Sequence, residues 1–286
     1  MSSSYILIDS GNFQKLEQVG PYRIVRPSPQ AVWSPRLSNE AWERVDARFH
    51  RFSGGDGKWT VLNKSMKKTW TIHYGGLNLQ IELTDFGHLG LFPEQVTNWQ
   101  RIRNLCADRT RDGLETRVLN LFAYTGGSSL ASAQGGAKVF HIDASKTSVA
   151  WARTNAELNN LDDKEVHWLI DDVQKFAQRE VRRNRKYHGI ILDPPSFGRG
   201  AKGEVWKIEE HLIALLEILR EILDPEFKFI ILSSHSHGYT PLAMQNLLYP
   251  VIGDAKGRFI SEEMVVKENE NGRSLPSGAS CFFLRD

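Results

Sequence analysis

The stretch that most constrains the fold of this chain is Arg117 to Asp143, with the sequence RVLNLFAYTGGSSLASAQGGAKVFHID. Its mostly apolar run from Val118 to Phe122 is typical of a parallel strand that is buried on both faces. Gly126-Gly127 then break the strand, because adjacent glycines permit a positive φ and let a ligand approach the backbone closely. Residues 138–142 predict a second strand, and Asp143 stands where such units place an acid that accepts hydrogen bonds from a ribose. The stretch therefore predicts a nucleoside-binding βαβ unit.

The type of nucleoside follows from what the glycine turn lacks. The dinucleotide fingerprint GxGxxG is absent, so no glycine-lined helix start is offered to a pyrophosphate, which argues against a nicotinamide or flavin cofactor. S-adenosylmethionine has a ribose and an adenine but no phosphate, and a single glycine turn with a ribose-binding acid suits it better. For the glycines alone, a tight turn and a helix cap without a ligand remain the alternative.

Length and composition limit the class of protein. The 286 residues, 41% of them hydrophobic, suffice for one large domain or for a catalytic domain with a smaller one. The first residues lack a basic region followed by a long apolar run, and no stretch approaches the roughly 20 apolar residues of a membrane span. The two cysteines, Cys106 and Cys281, make neither a disulfide framework nor a zinc site. We expect a soluble, cytoplasmic protein without a membrane segment or a metal. The formal net charge of +2 does not by itself indicate a nucleic-acid partner.

Turn residues and periodicity divide the chain near residue 90. Residues 1–90 predict a small β-rich domain that borders the substrate cleft. Its strands are expected at residues 5–8, 22–25, 59–62, 70–74 and 79–83, with a short helix over residues 41–50.

Residues 91–286 predict an α/β domain. Five buried strands, expected at residues 118–122, 138–142, 166–170, 189–192 and 227–232, alternate with helices. Residues 258–267 and 279–284 read as a closing antiparallel hairpin, whereas a dinucleotide-binding Rossmann domain would end with a parallel strand. We therefore predict the Rossmann-like, seven-stranded sheet of methyltransferases with a C-terminal antiparallel hairpin.

Four motifs carry a resemblance to a known family. They are NLFAYTGG at residues 120–127, HIDAS at residues 141–145, Asp172-Val173, and DPPSF at residues 193–197. In this order and spacing they resemble the class I S-adenosylmethionine-dependent methyltransferases, and more closely the bacterial large-subunit ribosomal RNA methyltransferase group. The resemblance covers roughly residues 92–284 and implies S-adenosylmethionine as the cofactor.

The resemblance also implies roles for single residues. The backbone from Phe122 to Gly127 is expected along the methionine and ribose of the cofactor, Asp143 at the ribose hydroxyls and Asp172 at the adenine amino group. A carboxylate accepts two bonds from a vicinal diol, and its charge strengthens them. Asp172 also precedes a helix, so an N-cap without a ligand is its alternative. The complete set of expected cofactor contacts is Phe122, Ala123, Tyr124, Thr125, Gly126, Gly127, Asp143, Ala144, Ser145, Asp171, Asp172, Asp193 and Gln95.

The DPPSF segment is the candidate reaction centre, with Asp193, Pro194, Pro195 and Phe197 as catalytic residues. Two prolines lack N–H donors and fix φ, so they predict a rigid turn whose unpaired carbonyls accept from a substrate amino or amide group. Asp193 adds an ionised acceptor, and Phe197 offers an aromatic face to a base. Prolines that merely end the strand are the alternative. Residues 198–203 predict a flexible basic loop, a candidate lid.

Two departures from the group affect the predicted chemistry. Relatives that make 5-methylcytosine need a cysteine thiolate, but the segment after the fifth strand, residues 233–238, reads SSHSHG. Ring or exocyclic nitrogens need no covalent intermediate, and His235 or His237 could act as a base. Val96 follows Gln95 where relatives carry an arginine, which weakens the expectation for Gln95.

The sequence as a whole predicts a methyltransferase that modifies a base of ribosomal RNA at nitrogen rather than at cytosine C5. Methylation of a small molecule or a protein, and a non-catalytic RNA-binding protein that retains the fold, stay open as alternatives. The oligomeric state is not predicted.

Overall fold

The computed structural model of the protein describes residues 4–52, 56–161, 164, 166–200, 203–268 and 272–286. The chain divides into two compact units, Met1–Val96 with Val265–Ser277 and Thr97–Met264 with Gly278–Asp286. The division into domains 1–90 and 91–286 that the sequence predicts stays a prediction. None of the described helices is both long and apolar enough to cross a membrane.

The first unit contains a five-stranded sheet in the order β1-β2-β3-β4-β5 and a separate β-hairpin of β6 and β7. The strands are β1 Tyr5–Gly11, β2 Gln14–Val19, β3 Tyr22–Pro27, β4 Ala47–Arg51, β5 Gly57–Val61, β6 Thr69–Tyr74 and β7 Leu77–Glu82. Strand β7 shows why these segments form strands, since its buried side chains Leu77, Leu79 and Ile81 alternate with half-buried polar ones. The expected β-rich region is present.

The helix that the sequence predicts over residues 41–50 is wrong for most of its length. Helix α1 spans only Asn39–Glu43, and β4 occupies the second half of the segment. Ala47 and Phe49 are buried on either side of the half-buried Arg48, which is the period of a strand rather than of a helix. Trp42 and Phe49, whose near-helical spacing suggested a single helix, therefore belong to two different elements, α1 and β4.

The remaining elements belong mainly to the second unit. Its helices are α2 Val96–Arg111, α3 Gly127–Gln134, α4 Lys146–Leu158, α5 Val173–Arg182, α6 Ile208–Ile222 and α7 Pro241–Ile252. Its strands are β8 Arg117–Leu121, β9 Lys138–Asp143, β10 Val166–Ile170, β11 Gly189–Leu192, β12 Phe197–Arg199, β13 Val205–Lys207, β14 Phe229–Ser234, β15 Gly257–Lys267 and β16 Ser274–Arg285.

The large sheet has seven strands in the order β10-β9-β8-β11-β14-β16-β15. The first five pair in parallel, and β16 runs antiparallel to β14. Helix α6 presents Leu212, Leu215 and Leu219 to the core that also contains Ile190 and Ile230 of the central strands. Burying each such side chain contributes about 1.5–3 kcal/mol. The predicted Rossmann-like sheet with its C-terminal antiparallel strands is confirmed.

The register of the parallel strands places the functional motifs at one edge of this sheet. Leu121 at the end of β8 pairs with Ile142 on one side and with Leu192 on the other, and Leu192 also pairs with Leu232. The residues that follow these positions therefore begin at the same level. In open α/β sheets the crevice outside the carboxyl ends of the strands is where ligands bind.

Candidate active site

The turn after β8 has an unusual backbone that neighbouring elements hold in place. Phe122 and Tyr124 have positive φ values of 57° and 48°, which are uncommon outside glycine. The Ala123 N–H donates to the Ile142 carbonyl at 3.1 Å. The side-chain amide of Asn155 donates to the Thr125 carbonyl at 2.9 Å. These hydrogen bonds from β9 and α4 fix the backbone conformation of the turn before any ligand binds. The turn, residues 122–127, is called the cradle below.

The two glycines of this turn serve different physical purposes. Gly126 has φ +91°, and it is the left-handed residue that precedes helix α3. Gly127 is required by packing, because a Cβ there would stand 2.4 Å from the ring of Trp99. The sequence predicts a close ligand approach for both glycines, whereas at Gly127 the close neighbour is a tryptophan of α2.

Three buried polar side chains next to the turn form a series of hydrogen bonds. The Asn120 side-chain amide donates to Ser129 Oγ at 2.9 Å, and Ser129 Oγ lies 3.0 Å from His141 Nδ1. Burial, with a smaller effect of the Arg153 charge, lowers the pKa of His141 to about 3, so this imidazole is neutral. This series of hydrogen bonds connects β8, α3 and β9. Sequence reasoning missed it, although polar residues inside buried parallel strands are a signal for it.

Asp143 is oriented by two backbone donors. Its Oδ2 accepts from the Tyr124 N–H and its Oδ1 from the Ser145 N–H, both at 2.8 Å. Burial raises the pKa of Asp143, while these two bonds lower it. Each carboxylate oxygen has a second lone pair, so the geometry leaves capacity for a vicinal diol. Ser145 caps α4, because its side-chain oxygen accepts from the Ser148 N–H at 3.1 Å. The half-buried Ala144 lies between Asp143 and Ser145 in the sequence.

Asp171 and Asp172 are both engaged with helix α5. Asp172 Oδ1 accepts from the Lys175 N–H at 2.8 Å, which is the N-cap that the sequence offers as its alternative role. Asp171 forms an ion pair with Arg179, and its N–H donates to the Asp143 carbonyl at 3.0 Å. An adenine contact of Asp172 stays a prediction. The adjacent Ile170 is 51% exposed, an apolar side chain at this edge that sequence reasoning missed.

The DPPSF turn differs from its prediction in one respect. The indole N–H of Trp206 donates to the Pro195 carbonyl at 2.8 Å, so the expectation of unpaired carbonyls is wrong for Pro195. Within the described residues the Pro194 carbonyl has no hydrogen bond. Asp193 is half-buried, with Oδ1 3.7 Å from His235 Nδ1, and Phe197 is 51% exposed.

The loop expected over residues 198–203 is in part a β-hairpin. Strands β12 and β13 pair antiparallel, with Gly198 opposite Trp206, and the Gly200 N–H donates to the Glu204 carbonyl at 2.8 Å. Residues 201–202 of the expected loop lie outside the described residues. The centroid of the Trp206 ring lies 4.7 Å from the centroid of the Phe122 ring and 5.6 Å from that of the His211 ring. Sequence reasoning missed Trp206, because its ring partner Phe122 is distant in the chain.

The structure thus brings Phe122 to Gly127, Asp143 to Ser145, Asp171-Asp172 and Asp193 to the carboxyl edge of one sheet. Gln95 belongs to the other unit, and its expected cofactor contact stays a prediction. The site residues fit S-adenosylmethionine, since they supply an oriented carboxylate for a ribose and apolar or aromatic side chains at Ile170, Phe122 and Trp206. Within the described ranges, His, Cys, Asp and Glu form no group of three that could hold a metal ion.

Comparison with known proteins identifies the family. A family model described as S-adenosylmethionine-dependent methyltransferase matches residues 38–230. A crystal structure of the SAM-dependent methyltransferase from Agrobacterium tumefaciens is 37% identical, covers 100% of this chain and 92% of that one, and superposes with a TM-score of 0.93.

Two curated relatives are longer than this chain. Ribosomal RNA large subunit methyltransferase K/L of Shewanella sp. (strain MR-4) is 30% identical over 215 residues, which cover 71% of this chain and 29% of that protein. Ribosomal RNA large subunit methyltransferase I of Aeromonas salmonicida (strain A449) is 30% identical over 158 residues, 54% of this chain and 38% of that protein. The matches thus span well under half of each relative. Because the family model covers more than half of the sequence, the chain belongs to the S-adenosylmethionine-dependent methyltransferases, enzymes whose cofactor is S-adenosylmethionine.

Proposed function

We propose that this methyltransferase modifies a base of ribosomal RNA, at a ring or exocyclic nitrogen rather than at cytosine C5. The names of the two curated relatives support ribosomal RNA as the substrate class. The observation that carries the site assignment is the pairing of Leu121 with Leu192, because it starts the glycine turn and the DPPSF turn side by side.

The cofactor side of the proposed site is the glycine turn with its neighbouring acids. When bound, S-adenosylmethionine supplies an electrophilic methyl group. The backbone from Phe122 to Gly127 lies along its methionine and ribose, with Ala144 and Ser145 beside the ribose and Asp171 beside the adenine. Asp143 accepts from the ribose hydroxyls, and Asp172 from the adenine amino group. The backbone N–H bonds to Asp143 support this role, since they orient its carboxylate before any ligand arrives.

The acceptor side is the DPPSF turn. The Pro194 carbonyl and Asp193 hold the amino or amide group of the base, and Phe197 stacks on its face. His235, whose Nδ1 lies 3.7 Å from Asp193 Oδ1, takes the proton released at the acceptor nitrogen. Asp193 also approaches the cofactor's methionine end. Much of the rate then comes from holding the nitrogen in line with the methyl group.

The state of the cysteines favours nitrogen over cytosine C5. C5 methylation needs a thiolate that adds to the ring. Burial raises the pKa of Cys106 to about 12 and that of Cys281 to about 11, and both side chains are fully buried. Each is therefore a neutral thiol without access to a base.

The test is methylation of ribosomal RNA from a strain that lacks the protein. Purified chain with isotope-labelled S-adenosylmethionine should label this RNA but not RNA from the parent strain, where the position is already modified. Nucleoside mass spectrometry should then show an N-methylated base. An Asp193→Ala variant serves as the inactive control.

Two outcomes would contradict the proposal in different ways. Labelled 5-methylcytidine would refute the nitrogen assignment but keep the RNA substrate. Label that enters protein or small metabolites, and not RNA, would refute the substrate class.

A further inference from the structure

The β12–β13 hairpin has two different faces. Because side chains alternate along a strand, Phe197 and Arg199 lie on one face with Val205, and Trp206 lies on the other. The first face is open, since Phe197 is 51% and Val205 46% exposed. A Cβ at Gly198, opposite Trp206, would lie 3.6 Å from the Pro195 ring, so the second face turns toward the DPPSF turn.

Trp206 touches both sides of the proposed site. Its ring lies 4.7 Å from the Phe122 ring, at the start of the glycine turn. Its indole N–H donates to the Pro195 carbonyl at 2.8 Å, within the DPPSF turn. Phe122 has a positive φ, so the residue that Trp206 contacts belongs to the strained part of the cradle.

The hairpin that carries Trp206 is anchored at both ends. Lys175 of α5 forms an ion pair with Glu204 at 2.6 Å, close to the Asp172 cap. At the other end, the Ile208 N–H donates to the Ser196 carbonyl at 3.1 Å, which ties the start of α6 to the DPPSF segment. His211 also stacks on the Trp206 ring, with the ring centroids 5.6 Å apart. Contacts to α5 and α6 therefore hold the strand that carries the indole.

We propose that Trp206 is a positioning residue that couples the glycine turn to the DPPSF turn. The ring contact with Phe122 links Trp206 to the cofactor side. The indole hydrogen bond orients the Pro195 carbonyl on the acceptor side. This hydrogen bond directs the Pro195 carbonyl away from the substrate and leaves the Pro194 carbonyl to hold it. The inference rests on the proposed acceptor role of the DPPSF turn.

The two contacts can be separated by substitution. Trp206→Phe keeps an aromatic ring against Phe122 but removes the indole donor. We expect S-adenosylhomocysteine affinity within about twofold of wild type and kcat lowered about tenfold or more, since a small displacement of the acceptor turn costs rate through orientation. Trp206→Ala removes both contacts and should weaken cofactor binding as well. Val205→Ala, on the opposite face of the same strand, is the matched control and should keep wild-type cofactor affinity and kcat.

A second measurement needs no methyl acceptor. Hydrogen exchange of peptides that cover residues 196–207 should slow when S-adenosylhomocysteine binds the wild type or Val205→Ala. In Trp206→Ala at saturating ligand this protection should be lost, while the protection of residues 122–127 remains.

The two readouts distinguish failure of this inference from failure of the RNA proposal. Equal protection of the hairpin in Trp206→Ala and the wild type, with ligand bound in both, would overturn the coupling. A folded Trp206→Phe enzyme with wild-type kcat and KM would overturn the role of the indole bond. If the wild type methylates no RNA, the exchange experiment still decides the coupling.

Discussion

At the scale of single residues, Asp143 is a half-buried carboxylate that local donors orient, and its proposed ligand is the ribose of the cofactor. Its carboxylate is held by the N–H groups of Tyr124 and Ser145. Asp143→Ala should weaken binding of S-adenosylmethionine and S-adenosylhomocysteine by about 1.5–3 kcal/mol, the usual loss for hydrogen bonds to a charged group. Asp143→Asn keeps one acceptor oxygen and should lose less. Calorimetry measures both, and an unchanged affinity in Asp143→Ala would remove the ribose assignment.

Phe197 is the residue whose substitution best isolates the acceptor side. Its side chain is half exposed, so truncation should cost little stability. Phe197→Ala should weaken binding of the RNA substrate by about 1–3 kcal/mol and slow turnover, while cofactor affinity stays unchanged. Phe197→Tyr retains a stacking ring and should restore most of the rate. Single-turnover methylation is the measurement, and wild-type behaviour of a folded Phe197→Ala enzyme would exclude stacking.

The two cysteines test the chemistry by their removal. Cys281 Sγ lies 3.3 Å from Ser261 Oγ, so a serine at this position can keep that hydrogen bond. Cys106 is fully buried, and alanine avoids placing an unpartnered hydroxyl there. We expect Cys106→Ala with Cys281→Ser to keep kcat within a few-fold of wild type. Loss of all transfer in a folded double variant would point to a thiolate mechanism.

At the scale of an element, two roles are assigned to Asp172, the residue that caps the start of helix α5. Asp172 caps the helix through the Lys175 N–H, and its adenine contact is proposed. Serine is about as good a cap as aspartate but is too short to reach the same ligand group. Asp172→Ser should therefore keep stability while weakening S-adenosylhomocysteine binding by about 1.5–3 kcal/mol. Asp172→Ala should lose about 1 kcal/mol of unfolding free energy in addition.

Denaturant unfolding and calorimetry on the same two variants separate these roles. Wild-type cofactor affinity in Asp172→Ser would show that the residue serves the helix alone.

At the scale of the whole molecule, His141 should make stability depend on pH. Its pKa is about 3 in the folded protein, against 6.5 as a reference value for the unfolded chain. Below pH 6.5 the unfolded state binds a proton that the folded state does not bind until about pH 3. Stability from this residue is therefore complete above pH 6.5 and is lost as the pH falls toward 3, by on the order of 3 kcal/mol at pH 4.

Denaturant unfolding between pH 7 and pH 4.5 measures this effect. His141→Gln offers Ser129 a neutral partner and should flatten the pH dependence over that interval. Glu17 does not interfere above pH 4.5: burial raises its pKa, but Arg26 and Lys15 outweigh this and lower it to about 2, so its contribution is lost only between about 4.5 and 2. The same slope in His141→Gln and the wild type would show that another group controls acid unfolding.

The grouping of residues 265–277 with the N-terminal residues is also a feature of the whole molecule. Arg273 forms an ion pair with the buried Asp9 at 2.9 Å, and Ser10 Oγ donates to Glu268. The buried carboxylates of Asp9 and Glu268 are thus each bound by a residue from the opposite end of the chain. The sequence predicts the closing hairpin but carries no sign of this pairing.

The sequence by itself determined the features that depend on neighbours along the chain. The apolar runs of β8 and β11, the breaks at Gly126 and Pro194, and the caps at Ser145 and Asp172 follow from local conformational preference. Only the tertiary structure decided which atoms remain open to a ligand. Trp206 occupies the Pro195 carbonyl, and Trp99 fills the space beside Gly127. Such contacts join residues of different elements, so they leave no periodicity or turn signal in the local sequence from which they could be predicted.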